Sequence, residues 1–180
     1  MLKRIIIILS TIACLASCWK TNMPNNENRL SSIPSALDTS TIAILPYDTT
    51  DSWVFKDVKP TSLTNNDLEF IETTLTVAWK EYVLAEEKKL EEFNAKHPEY
   101  RLKHHKEDFA IDLKKYKRQY IAILDSNGEK EVWVNCFCAF TGESWKKEIV
   151  FVDDGGACYF NVKINLTNGK YYDFMVNAVG

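Results

Sequence analysis

Gln119-Tyr120-Ile121-Ala122-Ile123-Leu124-Asp125-Ser126-Asn127-Gly128-Glu129-Lys130-Glu131-Val132-Trp133-Val134-Asn135-Cys136-Phe137-Cys138 decides how the chain is read. Two runs rich in β-branched and aromatic residues flank Asn127-Gly128, the strongest short hairpin signal. Two further turn signals follow, Asp154-Gly155 and Asn168-Gly169. Strands are expected near 119–125, 130–140, 147–152, 157–166 and 170–177. Taken as a consecutive antiparallel meander, their registers can be checked from side-chain parity, because a one-residue slip exchanges the two faces.

A two-residue loop at Asn127-Gly128 sets Ile123 opposite Val132 and Ile121 opposite Val134. A two-residue loop at Asp154-Gly155 sets Phe151 opposite Cys158 and Ile149 opposite Phe160. At Asn168-Gly169 two residues would put Ile164 against Asp173. A three-residue loop with Gly169 left-handed and a bulge instead pairs Ile164 with Tyr172, Val162 with Phe174 and Phe160 with Val176. One face then carries Ile121, Ile123, Val132, Val134, Cys136, Cys138, Ile149, Phe151, Cys158, Phe160, Val162, Ile164, Tyr172, Phe174 and Val176, and is expected to be the core.

The cover for that face lies upstream. Thr64 with Asp67 three residues on resembles a capping box. Leu68, Ile71, Leu75, Ala78, Tyr82 and Ala85 recur at helical spacing and form one apolar stripe. The charged run Glu86 to Glu92 is a solvated end, and Pro98 stops the helix near residue 95. Ile42 to Leu45, ended by Pro46, reads as a short strand, and Trp53-Val54-Phe55 as another strand or a clamp over the sheet. The expected fold class is α+β, one long helix packed on a four- to five-stranded antiparallel sheet.

The chain has 180 residues, 46% hydrophobic and 26% charged, which excludes collagen-like and wholly disordered classes. It carries 22 Lys and Arg against 25 Asp and Glu, and a removable leader would take away Lys3 and Arg4 but no acids. The remainder is acidic, which speaks against nucleic acid as a partner. That leader is Met1 to Ser17: a basic start, an apolar run from Ile5, then small residues, too short to span a bilayer. Leu15-Ala16-Ser17-Cys18 resembles the lipobox of bacterial lipoproteins. The resemblance implies cleavage before Cys18, lipid attachment to Cys18, and an envelope location on the membrane outside the cytoplasm. It also implies outer-membrane placement, since no aspartate follows the cysteine. The expected organisation is a signal peptide at 1–17, a polar Asn- and Ser-rich tether at 18–40 and a single domain at 41–180.

The stretches Tyr116-Lys117-Arg118-Gln119-Tyr120, Glu129 to Cys138, Asp154-Gly155-Gly156-Ala157-Cys158-Tyr159-Phe160 and Tyr171-Tyr172-Asp173 to Gly180 resemble a group of small bacterial lipoproteins to which no activity is attached. The resemblance covers roughly the last 65 residues and the helix loosely, and carries over no catalytic residue. The helix-then-sheet order is similar to cystatin-like folds, an architecture that implies no function.

No nucleophile elbow, Gly-rich phosphate loop or His-Glu-x-x-His motif is present. His97, His104 and His105, with Glu107 and Asp108, match no metal-cage spacing and read as part of a solvated basic stretch over 101–118. No catalytic residue, metal or cofactor is assigned. With strand 147–152 between them, strands 130–140 and 157–166 lie too far apart for bridged Cα atoms. Cys136, Cys138 and Cys158 are therefore expected as free, buried thiols.

The opposite sheet face interleaves aromatics with amides, a pattern that can stack on and hydrogen-bond a sugar or peptide. The candidate binding face is Trp133, Asn135, Phe137, Tyr159, Asn161, Lys163, Tyr171 and Asp173. The same pattern equally suits a second small core beneath Trp53-Val54-Phe55. The leading expectation is a non-catalytic binding module for an envelope protein, a peptide or a glycan. The alternatives are a small enzyme, with Asp173, Asn161 and Lys163 in a pocket between helix and sheet, or an immunity or inhibitor protein.

Overall fold

The computed structural model describes residues 39–100 and 111–178. The leader, Cys18, nearly all of the tether, and His104 and His105 lie outside these residues. Helix α1 spans Asn65–Lys96 and starts at the capping box: Thr64 Oγ1 accepts from the Asp67 amide at 3.2 Å, and Asp67 Oδ2 accepts from the Thr64 amide at 2.7 Å. It ends with the His97 amide on the Phe93 carbonyl, just ahead of Pro98. The expected stripe is buried at Leu68, Ile71, Leu75 and Ala78, joined by Thr74 and Trp79. No helix among the described residues is long and apolar enough to cross a membrane.

The sheet is mixed and has six strands, which corrects the expectation of an antiparallel sheet of four or five. They are β1 (Ile42–Leu45), β2 (Lys59–Pro60), β3 (Lys117–Leu124), β4 (Lys130–Phe137), β5 (Tyr159–Asn165) and β6 (Lys170–Val176). Their order is β1-β3-β4-β5-β6, with β2 also on β3. β1 runs parallel to β3, Ile44 beside Tyr120. A parallel pair needs a long crossover, and α1 lies in the connection between these two strands. Trp53-Val54-Phe55 is not a strand; Val54 and Phe55 are buried against the sheet, so the segment is a clamp.

The expected strand 147–152 is absent, and β4 pairs directly with β5, Asn135 opposite Asn161 and Trp133 opposite Lys163. The reason lies in two buried amides. Gln119 donates through Nε2 to the carbonyls of Trp145 and Glu148, both at 2.6 Å, and accepts from the Val150 amide at 2.9 Å. Asn135 Nδ2 donates to the Val150 carbonyl at 2.8 Å. Side chains thus satisfy the backbone groups that a ladder would otherwise pair, and residues 144–152 cross the sheet face as a strap. With β4 and β5 adjacent, Cys138 and Cys158 form a disulfide with Cα atoms 5.0 Å apart. This overturns the expectation of three free thiols; among these three only Cys136 is free, and it is buried.

The first hairpin is one residue longer than expected. Asp125 Oδ1 accepts from the amides of Asn127 at 2.9 Å and Glu129 at 2.7 Å, so Ser126, Asn127 and Gly128 make a three-residue loop. The register becomes Tyr120 opposite Val134 and Ala122 opposite Val132, and Ile121 and Ile123 turn to the other face. At the last turn Gly169 is left-handed, φ +76°, and Phe160 pairs with Val176, both as expected. Ile164, however, pairs with Tyr171 rather than Tyr172. A bulge between Asn161 and Lys163, with Asp173 at φ +50°, restores the parity of Phe174 and Val176. Phe151, expected in the core, is exposed, and Ile149 sits in the strap.

Two apolar layers result. On the helix side Leu68, Ile71, Leu75 and Trp79 pack on Tyr120, Val132, Val134, Phe160, Val162 and Ile164. On the other side Ala43, Leu45, Val54, Phe55, Ile121, Ile123, Trp133, Phe137, Trp145 and Val150 form a second core. Each fully buried Ile, Val or Phe contributes about 1.5–3 kcal/mol, so the strap and clamp are held by packing as well as by the two amides.

Candidate functional site

The second face is largely core, but beside Trp53 it opens into a cleft of about 220 Å³. Its floor is Trp133 and Asn135 of β4; Asn161 and Tyr159 of β5 form one wall, and Val150 and Val152 of the strap form another. Trp53 projects from the turn after the Asp48-capped 3-10 segment and stays 56% exposed. Its ring meets Trp133 edge to face, centroids 5.5 Å apart, and Phe151 in the same manner at 6.1 Å. The capping carboxyl of Asp48 is held below its ordinary range by the Thr50 backbone amide and hydroxyl.

The strap is tied down at its far end. Asn177 Nδ2 donates to the carbonyls of Val152 and Asp154, and the Gly156 amide donates to the Ala178 carbonyl. Gly155 needs its left-handed φ of +89°, and a Cβ there would stand 2.7 Å from the Tyr159 ring. The Tyr159 hydroxyl donates to the Ala139 carbonyl at 2.6 Å, which fixes that ring as a wall.

The polar groups in the cleft are half committed. Trp133 Nε1 donates to Asn161 Oδ1 at 3.3 Å, leaving the Asn161 amino group uncommitted among the described residues. Asn135 is only 9% exposed. Its Nδ2 is used by Gln119 Oε1 and the Val150 carbonyl, while its Oδ1 accepts nothing among the described residues. Asn177 Oδ1 and the Asp153 carboxylate are open in the same way. This is a partly satisfied polar site between aromatic and aliphatic walls, suited to binding a small amphipathic group.

The eight sequence-derived face residues separate. Trp133, Asn135, Tyr159 and Asn161 line the cleft. Phe137 is fully buried in the second core and cannot meet a ligand. Lys163 lies next to the cleft, its Nζ 3.1 Å from Asp173 and over the rings of Phe55 and Tyr172. Asp173 sits at the exposed β6 bulge. Tyr171 is on the helix side, a correction that follows from its pairing with Ile164; its hydroxyl donates to Glu81. Loss of solvent first, and then that hydrogen bond, push the Tyr171 hydroxyl up to about 12.

Asp173, Asn161 and Lys163 do not line a pocket between helix and sheet. The groove there, about 310 Å³, is walled by Ala78, Glu81, Tyr82, Ala85, Tyr171 and Phe174. The strand pattern does not mark Trp53, Phe151, Asp153 or Asn177 as site residues, and it puts Met175 on the mixed face outside the eight candidates. The strand-like alternation of 147–152 points Phe151 to the core, and no sequence signal marks Asp153 or Asn177.

Asp125, Glu129 and Glu131 bring one carboxylate oxygen each within 4.8 Å of one another. Asn165 Nδ2 already donates to Glu129 at 2.6 Å and Glu131 at 2.9 Å, and Tyr172 donates to Glu131 at 2.6 Å. The oxygens are engaged in holding the two turns at that end of the sheet together. Comparison with family models, curated proteins and solved structures finds no match for the chain.

Proposed function

We propose that the protein is a non-catalytic binding module, lipid-anchored through Cys18 in a bacterial envelope, whose ligand seats in the cleft beside Trp53. The observation that carries the reading is the combination at that cleft: an exposed tryptophan at the mouth, and below it the uncommitted halves of Asn135, Asn161 and Asn177. Exposed large apolar groups gathered at one opening mark interaction sites more often than scattered ones do. The Cys138–Cys158 disulfide supports an oxidising compartment outside the cytoplasm.

The test is nuclear magnetic resonance of the full chain in detergent, titrated with fractionated envelope extract. The expected result is that a fraction shifts the Trp53 indole and the Asn161 side-chain amide while the Trp79 and Trp145 indoles stay in place. If every fraction leaves Trp53 and Asn161 unmoved, the cleft reading fails. Placement is tested separately: Cys18→Ser should release the protein from the membrane or leave it uncut. Continued membrane partitioning of cleaved Cys18→Ser would refute the anchor.

A further inference from the structure

We infer that the cleft is a subsite for one uncharged sugar ring of a polysaccharide; this rests on the cleft being the ligand site and names what enters it. Volume comes first. About 220 Å³ is below the roughly 300–1,000 Å³ of a site for a drug-sized molecule, so the cavity admits one ring, with the rest of a ligand lying outside.

Charge comes next. Among the described residues, the one ionisable acid or base facing the cavity is Asp153, since the Tyr159 hydroxyl is spent on the Ala139 carbonyl. The neighbouring cation, Lys163, is already held by Asp173 at 3.1 Å. A phosphate, sulfate or uronate would therefore meet a carboxylate and no cation among the described lining residues, which disfavours it.

The hydrogen-bonding complement points the same way. Asn135 is nine-tenths buried, its amino group is used twice, and it offers the cleft only an acceptor. Asn177 also offers only its carbonyl, and Asp153 only its carboxylate. Among the described residues the Asn161 amino group and the Trp53 indole N–H are the side-chain donors left over, against the carbonyls of Asn135 and Asn177 and both carboxylate oxygens of Asp153. A site dominated by acceptors wants a ligand rich in donors, and sugar hydroxyls each donate as well as accept. A peptide backbone brings equal numbers of donors and acceptors and is read along a strand edge; this cleft opens on a sheet face.

The apolar walls complete the match. Val150, Val152 and the indole of Trp53 flank the acceptors, as the C–H face of a sugar ring flanks its hydroxyl rim. Phe151 and Met175 line the same cleft and are largely exposed, which offers apolar surface to the adjoining rings of a chain.

The experiment uses the full-length protein in detergent, with calorimetry and tryptophan fluorescence. The probes are cello-, malto-, manno- and chito-oligosaccharides, an oligogalacturonate, tetramethylammonium chloride and an unstructured neutral peptide. A neutral oligosaccharide should bind. Trp53→Ala and Asn161→Ala should each weaken it about tenfold, and Trp53→Phe should restore part of the affinity. Trp53 is exposed, so its replacement should leave thermal unfolding unchanged, which separates lost binding from lost fold.

Binding of the galacturonate, the ammonium or the peptide in a Trp53-dependent way, with the neutral sugars silent, would overturn the sugar assignment and leave the cleft as a binding site. Neutral sugar binding that ignores both substitutions would overturn the location. Silence of all probes would overturn the inference, and the envelope-extract titration then decides independently whether the cleft binds anything.

Discussion

The Gln119 side-chain carbonyl accepts a hydrogen bond from the Val150 backbone amide at 2.9 Å, so a β3 side chain stands where a neighbouring strand would. Because Gln119 also holds the Trp145 and Glu148 carbonyls, one residue anchors the strap that walls the cleft. Gln119→Ala would strand three backbone groups in a buried setting, each costing about 1–3 kcal/mol where water cannot replace the partner. We expect a loss of about 3 kcal/mol in urea unfolding, together with faster hydrogen exchange at Val150. An unchanged urea midpoint would show that packing alone holds the strap.

Cys138–Cys158 closes a loop with a sequence separation of 20, which in the chain-entropy picture stabilises by about 3 kcal/mol. The paired Cys138→Ser and Cys158→Ser substitutions, or reduction, should lower stability by about that amount. The intact protein should weigh two hydrogens less than its reduced form. Cys136 should resist alkylation in the native state, because burial pushes its thiol far above the ordinary range. Rapid native-state labelling of Cys136 would contradict its placement.

Glu72 and Arg118 tie α1 to β3, Oε1 to Nε at 2.9 Å, with the Arg118 side chain only 5% exposed. Arg118 also donates to the carbonyls of Tyr116 and Leu113, and the Tyr120 hydroxyl donates to Glu72 at 2.6 Å. Removing one partner of a buried pair leaves the other charge uncompensated. Glu72→Ala should cost about 3–5 kcal/mol by thermal or urea unfolding. Replacing Glu72 and Arg118 together by Leu and Met should cost much less than the single change.

Asp67 both caps α1 and meets Lys130 Nζ at 2.6 Å. Partial burial raises its carboxyl, but Lys130 and the Thr64 hydrogen bonds outweigh that, and the net position is below the ordinary value. A carboxyl lowered on folding contributes stability that is full above its unfolded pKa of about 3.9 and is lost as pH falls through the folded value. Asp67→Ala should therefore cost about 1–2 kcal/mol near neutral pH, and the difference from wild type should shrink below about pH 4. A difference constant down to pH 2 would assign the effect to packing.

The helix and the β-rich C-terminal half were legible because each rests on local chemistry. Thr64 and Asp67 form their box within one turn, the Leu68 to Ala78 stripe follows from helical period, and Gly169 is left-handed because its turn demands it. The strand-borne floor and one wall of the cleft were legible for the same reason: Trp133, Asn135, Tyr159 and Asn161 share one face whichever strand lies beside them. Strand neighbours and exact register were not legible. Asp125 lengthens its loop by accepting two backbone amides, and that single extra residue moves Ile121 and Ile123 across the sheet.

What the amino-acid order by itself determined was the helix, the β runs, their turns and the aromatic–amide pattern, all set by interactions within a few residues. What only the tertiary structure decided was which β run became a strand. Residues 147–152 alternate as a strand should, yet Gln119 and Asn135, distant in sequence, satisfy Val150 and leave β4 free to pair with β5. That substitution brings Cys138 to Cys158 and leaves the strap as a wall of the cleft beside Trp53. The physical reason is that backbone amides and carbonyls must be satisfied, but nothing local states whether a strand or a side chain will satisfy them.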